Sequence, residues 1–119
     1  MVGDTFPLTR GGIYLARLDP ARGAEVGKRR PVVVLTAQSL LEVDPPILFV
    51  CPLSSRSDPA YVSLHLALPA RDRLQRPSYA LIEHSRAISR QRLVSERLGM
   101  LTPGEINSIL DRLERLVGR

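Results

Sequence analysis

The chain has 119 residues, 44% of them apolar and 24% charged, with a formal net charge of +5 and a single cysteine. That length holds one core and not two, and the composition excludes a disordered chain. A lone thiol excludes an intramolecular disulfide, and no stretch reaches the roughly 18 uninterrupted apolar residues of a membrane span.

Only 4% of the residues are aromatic, so the core must be aliphatic. The positive charge is carried by arginine everywhere except Lys28 and points to a polyanionic partner. Arginine suits bidentate phosphate contacts, although a codon bias would give the same excess. The first ten residues, MVGDTFPLTR, have neither the basic nor the apolar region of a leader, so a cytoplasmic protein without a membrane anchor is expected. One domain over 1–119 follows, with 1–10 as a flexible lead-in.

GGIYLARL starts a strand, Ile13 and Leu15 on one face and Tyr14, Ala16 and Leu18 on the other, ended by Asp19-Pro20. Residues 21–30 hold two glycines, five charges and no apolar periodicity, which predicts a long surface loop. PVVVLT follows as a buried β-branched strand, then a helical turn in AQSLLEV, which Pro45-Pro46 redirects into a third buried strand, ILFVCPL. SSRSDPA is a polar loop. YVSLHLAL alternates, which predicts a half-exposed strand with Val62, Leu64, Leu66 and Leu68 inward and His65 outward. The basic loop PARDRLQRP leads to one or two bent strands in SYALIEHSRAI. Thr102, Pro103 and Glu105 form a capping box that opens a helix, with Ile106, Ile109, Leu110, Leu113 and Leu116 on one stripe and Gly118 at the C-terminal cap. Strands in the middle and one helix at the end predict a small, strongly bent antiparallel barrel or half-barrel.

The sequence lacks a phosphate-binding glycine loop, a zinc-spaced Cys/His cluster and a nucleophile elbow, so no metal and no cofactor is expected. Cys51 reads as a buried thiol. In GAEVGKRRP, Pro31 holds Arg30 extended, so its guanidinium is aimed from the end of a strand, with Lys28 and Arg29 beside it. A phosphate ligand suits that placement, and a solvated cationic loop would read the same way. Ser54 and Ser55, after the buried strand, can hydrogen-bond a phosphate oxygen or form only a turn. His84 stands beside Glu83 and close to Arg86.

RGGIYLARLDPARGAEVGKRRPVVVLT, VCPLSSR, IEHSRAISRQRL and RLGMLTPGEINSIL, in that order, resemble the MazF/PemK (Kid-like) toxin family over residues 10–118. The resemblance implies an SH3-like barrel of twisted antiparallel sheet with flanking helices, mainly β, in a homodimer. It also implies a type II toxin–antitoxin module whose toxin is an endoribonuclease cutting single-stranded RNA without metal, neutralised by an acidic, MazE-like antitoxin. Carried over by motif, the catalytic arginine falls on Arg30, the catalytic threonine on Ser54, the loop acid on Glu25 and a strand arginine on Arg86.

Gly12, Arg56, His84 and Ser89 depart from the family's usual Asp or Glu, Gln, Gln and Asp. Leu81 and Glu83 stand where the Kid branch has an arginine and an acid, so that branch's acid–base scheme does not transfer whole. The expected chemistry is attack by the substrate's own 2′-hydroxyl, leaving a 2′,3′-cyclic phosphate. Arg30 would stabilise charge, Ser54 orient the phosphate and Glu25 accept the proton, with Glu83 or His84 as the other acceptors. Lys28, Arg29, Ser55, Arg56, Glu83, His84 and Arg86 would contact RNA. A CcdB-like toxin that binds gyrase and a non-catalytic nucleic-acid-binding module are the alternatives.

Overall fold

The computed structural model describes residues 7–57 and 59–119. Its strands are β1 (Gly12–Arg17), β2 (Arg29–Val34), β3 (Ile47–Ser54), β4 (Leu66–Leu68), β5 (Ser78–Ala80), β6 (Arg86–Ser89) and β7 (Gly99–Met100). A one-turn helix, α1 (Gln38–Leu41), separates β2 from β3, and α2 (Pro103–Leu116) closes the chain.

All pairings are antiparallel and form one sheet in the order β4-β5-β3-β2-β1-β7. Strand β3 is the hub. Its far edge is shared in tandem, Ile47 to Val50 pairing with β6 and Leu53 and Ser54 pairing with β5. Two short strands on one long edge force the sheet to curl into a half-barrel, the architecture expected for the MazF/PemK fold.

The period-two patterns divide the core between the two faces of this sheet. Tyr14, Ala16, Leu18, Val32, Val34 and Val50 belong to one cluster, and Ile13, Val33, Cys51, Leu53, Ala80 and Ile109 to the other. The register makes this division exact along β1 and β2, where Tyr14 faces Val32 and Ile13 faces Val33. Gly11 joins the two layers at a left-handed φ of +84°, and a Cβ there would lie 2.5 Å from Ile106 of α2.

The expected capping box is present, Thr102 and Glu105 each accepting the other's backbone N–H. Glu105 also meets Arg71 through a two-pronged pair at 2.5 and 2.8 Å, which ties the basic loop after β4 to the start of α2. Of the expected apolar stripe, Ile109 is buried, Ile106 and Leu113 pack against the same cluster, and Leu116 is exposed.

Two expectations need correction. Residues 1–6 of the lead-in lie outside the described residues, but Leu8 is buried in the core and the Arg10 N–H donates to Gln38, so the chain is anchored from Leu8 onward. The strand expected over 61–68 is limited to Leu66–Leu68. Before it, Pro59–Tyr61 form a 3-10 turn and the N–H groups of Leu64 and His65 fold back on the Tyr61 carbonyl. Val62 therefore points to solvent and His65 inward, the reverse of the alternation.

Candidate functional site

Two clefts flank the end of the sheet where β2 begins and β3 ends. The first, about 360 Å³, is lined by Arg29, Arg30, Pro31, Leu53, Ser54, Ser55, Arg73, Leu74, Gln75, Arg76, Ser78 and Leu98. Four guanidinium groups and no carboxylate surround it, so its potential favours an anion.

Arg30 and Ser54 are placed there by strand pairing. Continuing the β2–β3 register beyond Val32 and Pro52 sets Arg30 opposite Ser54, and Ser54 is itself paired with Tyr79 of β5. The Arg30 Nε donates to the Gly27 carbonyl at 3.0 Å, which fixes the guanidinium plane and leaves both terminal nitrogens for an anion. The Ser54 Oγ accepts the Arg56 N–H at 3.1 Å, a turn bond that uses the oxygen and keeps the hydroxyl proton available. Both readings of the serine pair, turn and ligand contact, are compatible in one side chain.

The loop between β1 and β2 is braced at its root. The Lys28 N–H donates to Asp19 Oδ1 at 2.7 Å, with Lys28 at a left-handed φ of 64°. Arg92 donates to the carbonyls of Arg17 and Asp19 at 3.0 and 2.6 Å. At the tip, the Glu25 carboxylate accepts the Arg22 N–H at 2.8 Å.

The second cleft, about 200 Å³, is lined by Glu25, Val26, Glu83, His84, Ser85 and Arg86. Arg86 reaches it from β6, opposite Val50. Arg86 Nη1 is shut off from solvent without a hydrogen-bond partner, a state that costs about 1–3 kcal/mol and favours a ligand able to pair with it. Beneath this cleft, His65 is only 7% exposed. Its Nε2 lies 2.8 and 2.7 Å from the two Glu83 oxygens and its Nδ1 lies 2.7 Å from Ser57 Oγ. Partners on both ring nitrogens replace the water that an outward histidine would have had.

The sequence-based site residues thus fall into two groups. Arg29, Arg30, Ser54 and Ser55 share the first cleft, and Glu25, Glu83, His84 and Arg86 share the second. Gly27 links them, since the loop that carries Glu25 also receives the Arg30 hydrogen bond. Lys28 and Arg56 are exposed and line neither cleft.

Arg73 and Arg76 were missed, although the basic stretch PARDRLQRP held the signal. What the stretch could not reveal is that Arg71 is consumed by Glu105 while its neighbours turn to the cleft. Burial pushes the Cys51 thiol up to about 12, with Ser85 opposing and the Glu83 charge adding to the rise, as suits an inert core thiol. Among the described residues, no group of three or more His, Cys, Asp or Glu side chains could hold a metal ion, and no helix is long and apolar enough to cross a membrane.

A curled antiparallel half-barrel, closed by one helix and opening at its strand ends on an arginine-lined cleft, defines a small-barrel protein with a site suited to an anion. The chain belongs to the PemK-like, MazF-like toxins of type II toxin–antitoxin systems, whose family model matches residues 9–117. It is 30% identical over 108 residues to Endoribonuclease MazF of Staphylococcus saprophyticus subsp. saprophyticus, covering 87% of this chain and 88% of that protein. MazF from Deinococcus radiodurans superposes with a TM-score of 0.80 at 23% identity, over 96% of this chain and 99% of the other. In a MazE–MazF crystal structure from the same organism the matching chain superposes at 0.74, again at 23% identity, over 95% and 97% of the two chains.

Proposed function

We propose that the chain is a sequence-selective endoribonuclease toxin that cuts single-stranded RNA and thereby inhibits translation, in the cytoplasm. The observation that carries this reading is that Arg30 and Ser54 line one cleft together with Arg29, Arg73 and Arg76, with no carboxylate among the lining residues. The similarity to Endoribonuclease MazF supports the same activity.

The reaction needs a proton acceptor, a cation for the phosphorane and a group to orient the scissile phosphate. Arg30 faces the developing negative charge, an effect worth about 3–4 kcal/mol for one aimed donor. Ser54 donates its hydroxyl proton to a non-bridging oxygen. Two carboxylates can accept the 2′-hydroxyl proton: Glu25 at the loop tip and Glu83 across the second cleft. These groups suffice without a metal, and the products are a 2′,3′-cyclic phosphate and a 5′-hydroxyl. Arg29, Arg73 and Arg76 track the RNA backbone, with Lys28, Ser55, Arg56, His84 and Arg86 as further contacts. Half-buried Tyr79, paired with Ser54, is the aromatic best placed to meet a base.

A MazE-like antitoxin with an acidic tail suits the positive clefts, and the Deinococcus radiodurans MazE–MazF structure supports that partnership. Homodimer formation is supported by the exposed apolar side chains Leu40, Val43, Ile47 and Phe49.

The test is a long, mixed-sequence RNA incubated with the purified protein in EDTA, beside an Arg30→Ala variant, with the ends mapped. Discrete cuts ending in 2′,3′-cyclic phosphate, absent from the variant, are expected. Cleavage by the variant at the wild-type rate would overturn the role of Arg30, and intact RNA across many sequences would favour gyrase binding or simple RNA binding.

A further inference from the structure

Ser57 and His65, which the proposed reaction does not use, form a buried polar chain with Glu83, one of its two candidate proton acceptors. It begins at Ser57, three residues after Ser54 in the chain, and ends in the carboxylate that lines the second cleft. The His65 side chain is 1% exposed and the Glu83 side chain 10%.

A carboxylate can only accept, so Nε2 carries the proton that reaches both Glu83 oxygens. Nδ1 is paired with the Ser57 hydroxyl at 2.7 Å. Every polar atom of the imidazole is satisfied, and the ring is locked between two elements that lie far apart in sequence, the loop after β3 and the 3-10 turn Ile82–His84. The other group near the carboxylate on its own turn, His84, stands at 3.8 Å, too far to fix it. Glu25, by contrast, is exposed and anchored only to the backbone of its own loop.

We infer that His65 is a positioning residue of this site: it holds the Glu83 carboxylate in a fixed orientation at the second cleft. The inference rests on the ribonuclease reading. One lone pair of each Glu83 oxygen is taken by Nε2–H, and the same carboxylate lines the second cleft beside Arg86, whose Nη1 is buried without a hydrogen-bond partner. A carboxylate pre-oriented in this way accepts a proton without first reorganising, and loss of such alignment lowers a rate by about 100-fold.

The experiment compares kcat, KM and the midpoint of thermal unfolding for wild type, His65→Leu and His65→Gln on one RNA that the wild type cuts. Leucine removes both ring nitrogens, whereas the glutamine amide can still donate to Glu83. The expected result is a fall in kcat of about 100-fold for His65→Leu with KM within about twofold, and recovery to within about fivefold of wild type for His65→Gln. Equal losses in the two variants, or a wild-type kcat in His65→Leu, would overturn the positioning role. Imidazole nitrogen NMR on the wild-type protein checks the bridge without relying on activity: a proton on Nε2 of His65 is expected, and an unprotonated Nε2 would overturn it. RNA left intact by the wild type would instead defeat the ribonuclease reading, and this role with it.

Discussion

Arg30 combines a strand end, a following proline and a carbonyl anchor, and each restricts where its guanidinium can go. Lysine at this position keeps the charge but loses the Nε contact and the planar fork, so Arg30→Lys should lower kcat by about 100-fold, nearly as much as alanine. Single-turnover cleavage measures this, and a lysine variant near wild type would reduce Arg30 to a point charge. Cys51 makes the opposite case. With its pKa pushed up to about 12 by burial, it should resist iodoacetamide at pH 8 in the folded protein and react only after denaturation, as read by intact mass. The positions of Arg30 and Ser54 at strand ends and the burial of Cys51 were legible in sequence, because a strand pattern and its boundaries place them. His65 was not, because both of its partners come from elsewhere in the chain.

At the scale of elements, the start of α2 depends on Glu105 twice, through the capping box and through Arg71. The Arg71 hydrogen bond is the main reason the Glu105 carboxyl sits below its ordinary range; burial opposes this, and the Thr102 N–H assists it. A lowered folded value means that the stabilisation is complete above the unfolded carboxylate range, near pH 4.5, and is lost as pH falls through the folded value. Glu105→Gln should therefore unfold at a lower temperature than wild type at pH 7, with the gap closing as the pH falls below the ordinary carboxylate range. Thr102→Ala should cost about 1 kcal/mol at any pH, measured by denaturant unfolding. The helix was readable because a capping box is a local signal. Strand β4 was misjudged because alternation alone cannot distinguish a strand from a turn that buries one polar side chain.

At the scale of the whole molecule, the net charge of +5 is less informative than its distribution. Arg71 and Arg90 are engaged with Glu105 and Asp44, while Arg29, Arg30 and Arg76 converge on one cleft together with Arg73, which also meets Glu96 at 3.8 Å on the exposed surface. Single-stranded RNA binding should weaken with salt, and Arg76→Ala should lower the slope of log K against log salt by about 0.7. An unchanged slope would remove Arg76 from the backbone path. Phe49→Glu should shift the protein toward monomer in sedimentation, since it charges the exposed apolar surface around α1 and the first half of β3.

By itself the sequence determined the aliphatic half-barrel, the capped final helix and the family. All of these depend on local periodicity, boundary residues or motif order, which survive in one dimension. Only the tertiary structure decided which arginines are spent on ion pairs and which line a cleft, that Glu25 and Glu83 share a second cleft, and that His65 is buried between Ser57 and Glu83. Those outcomes depend on pairing between distant segments. The free energy of a buried charge or imidazole is set by partners that chain order does not bring together.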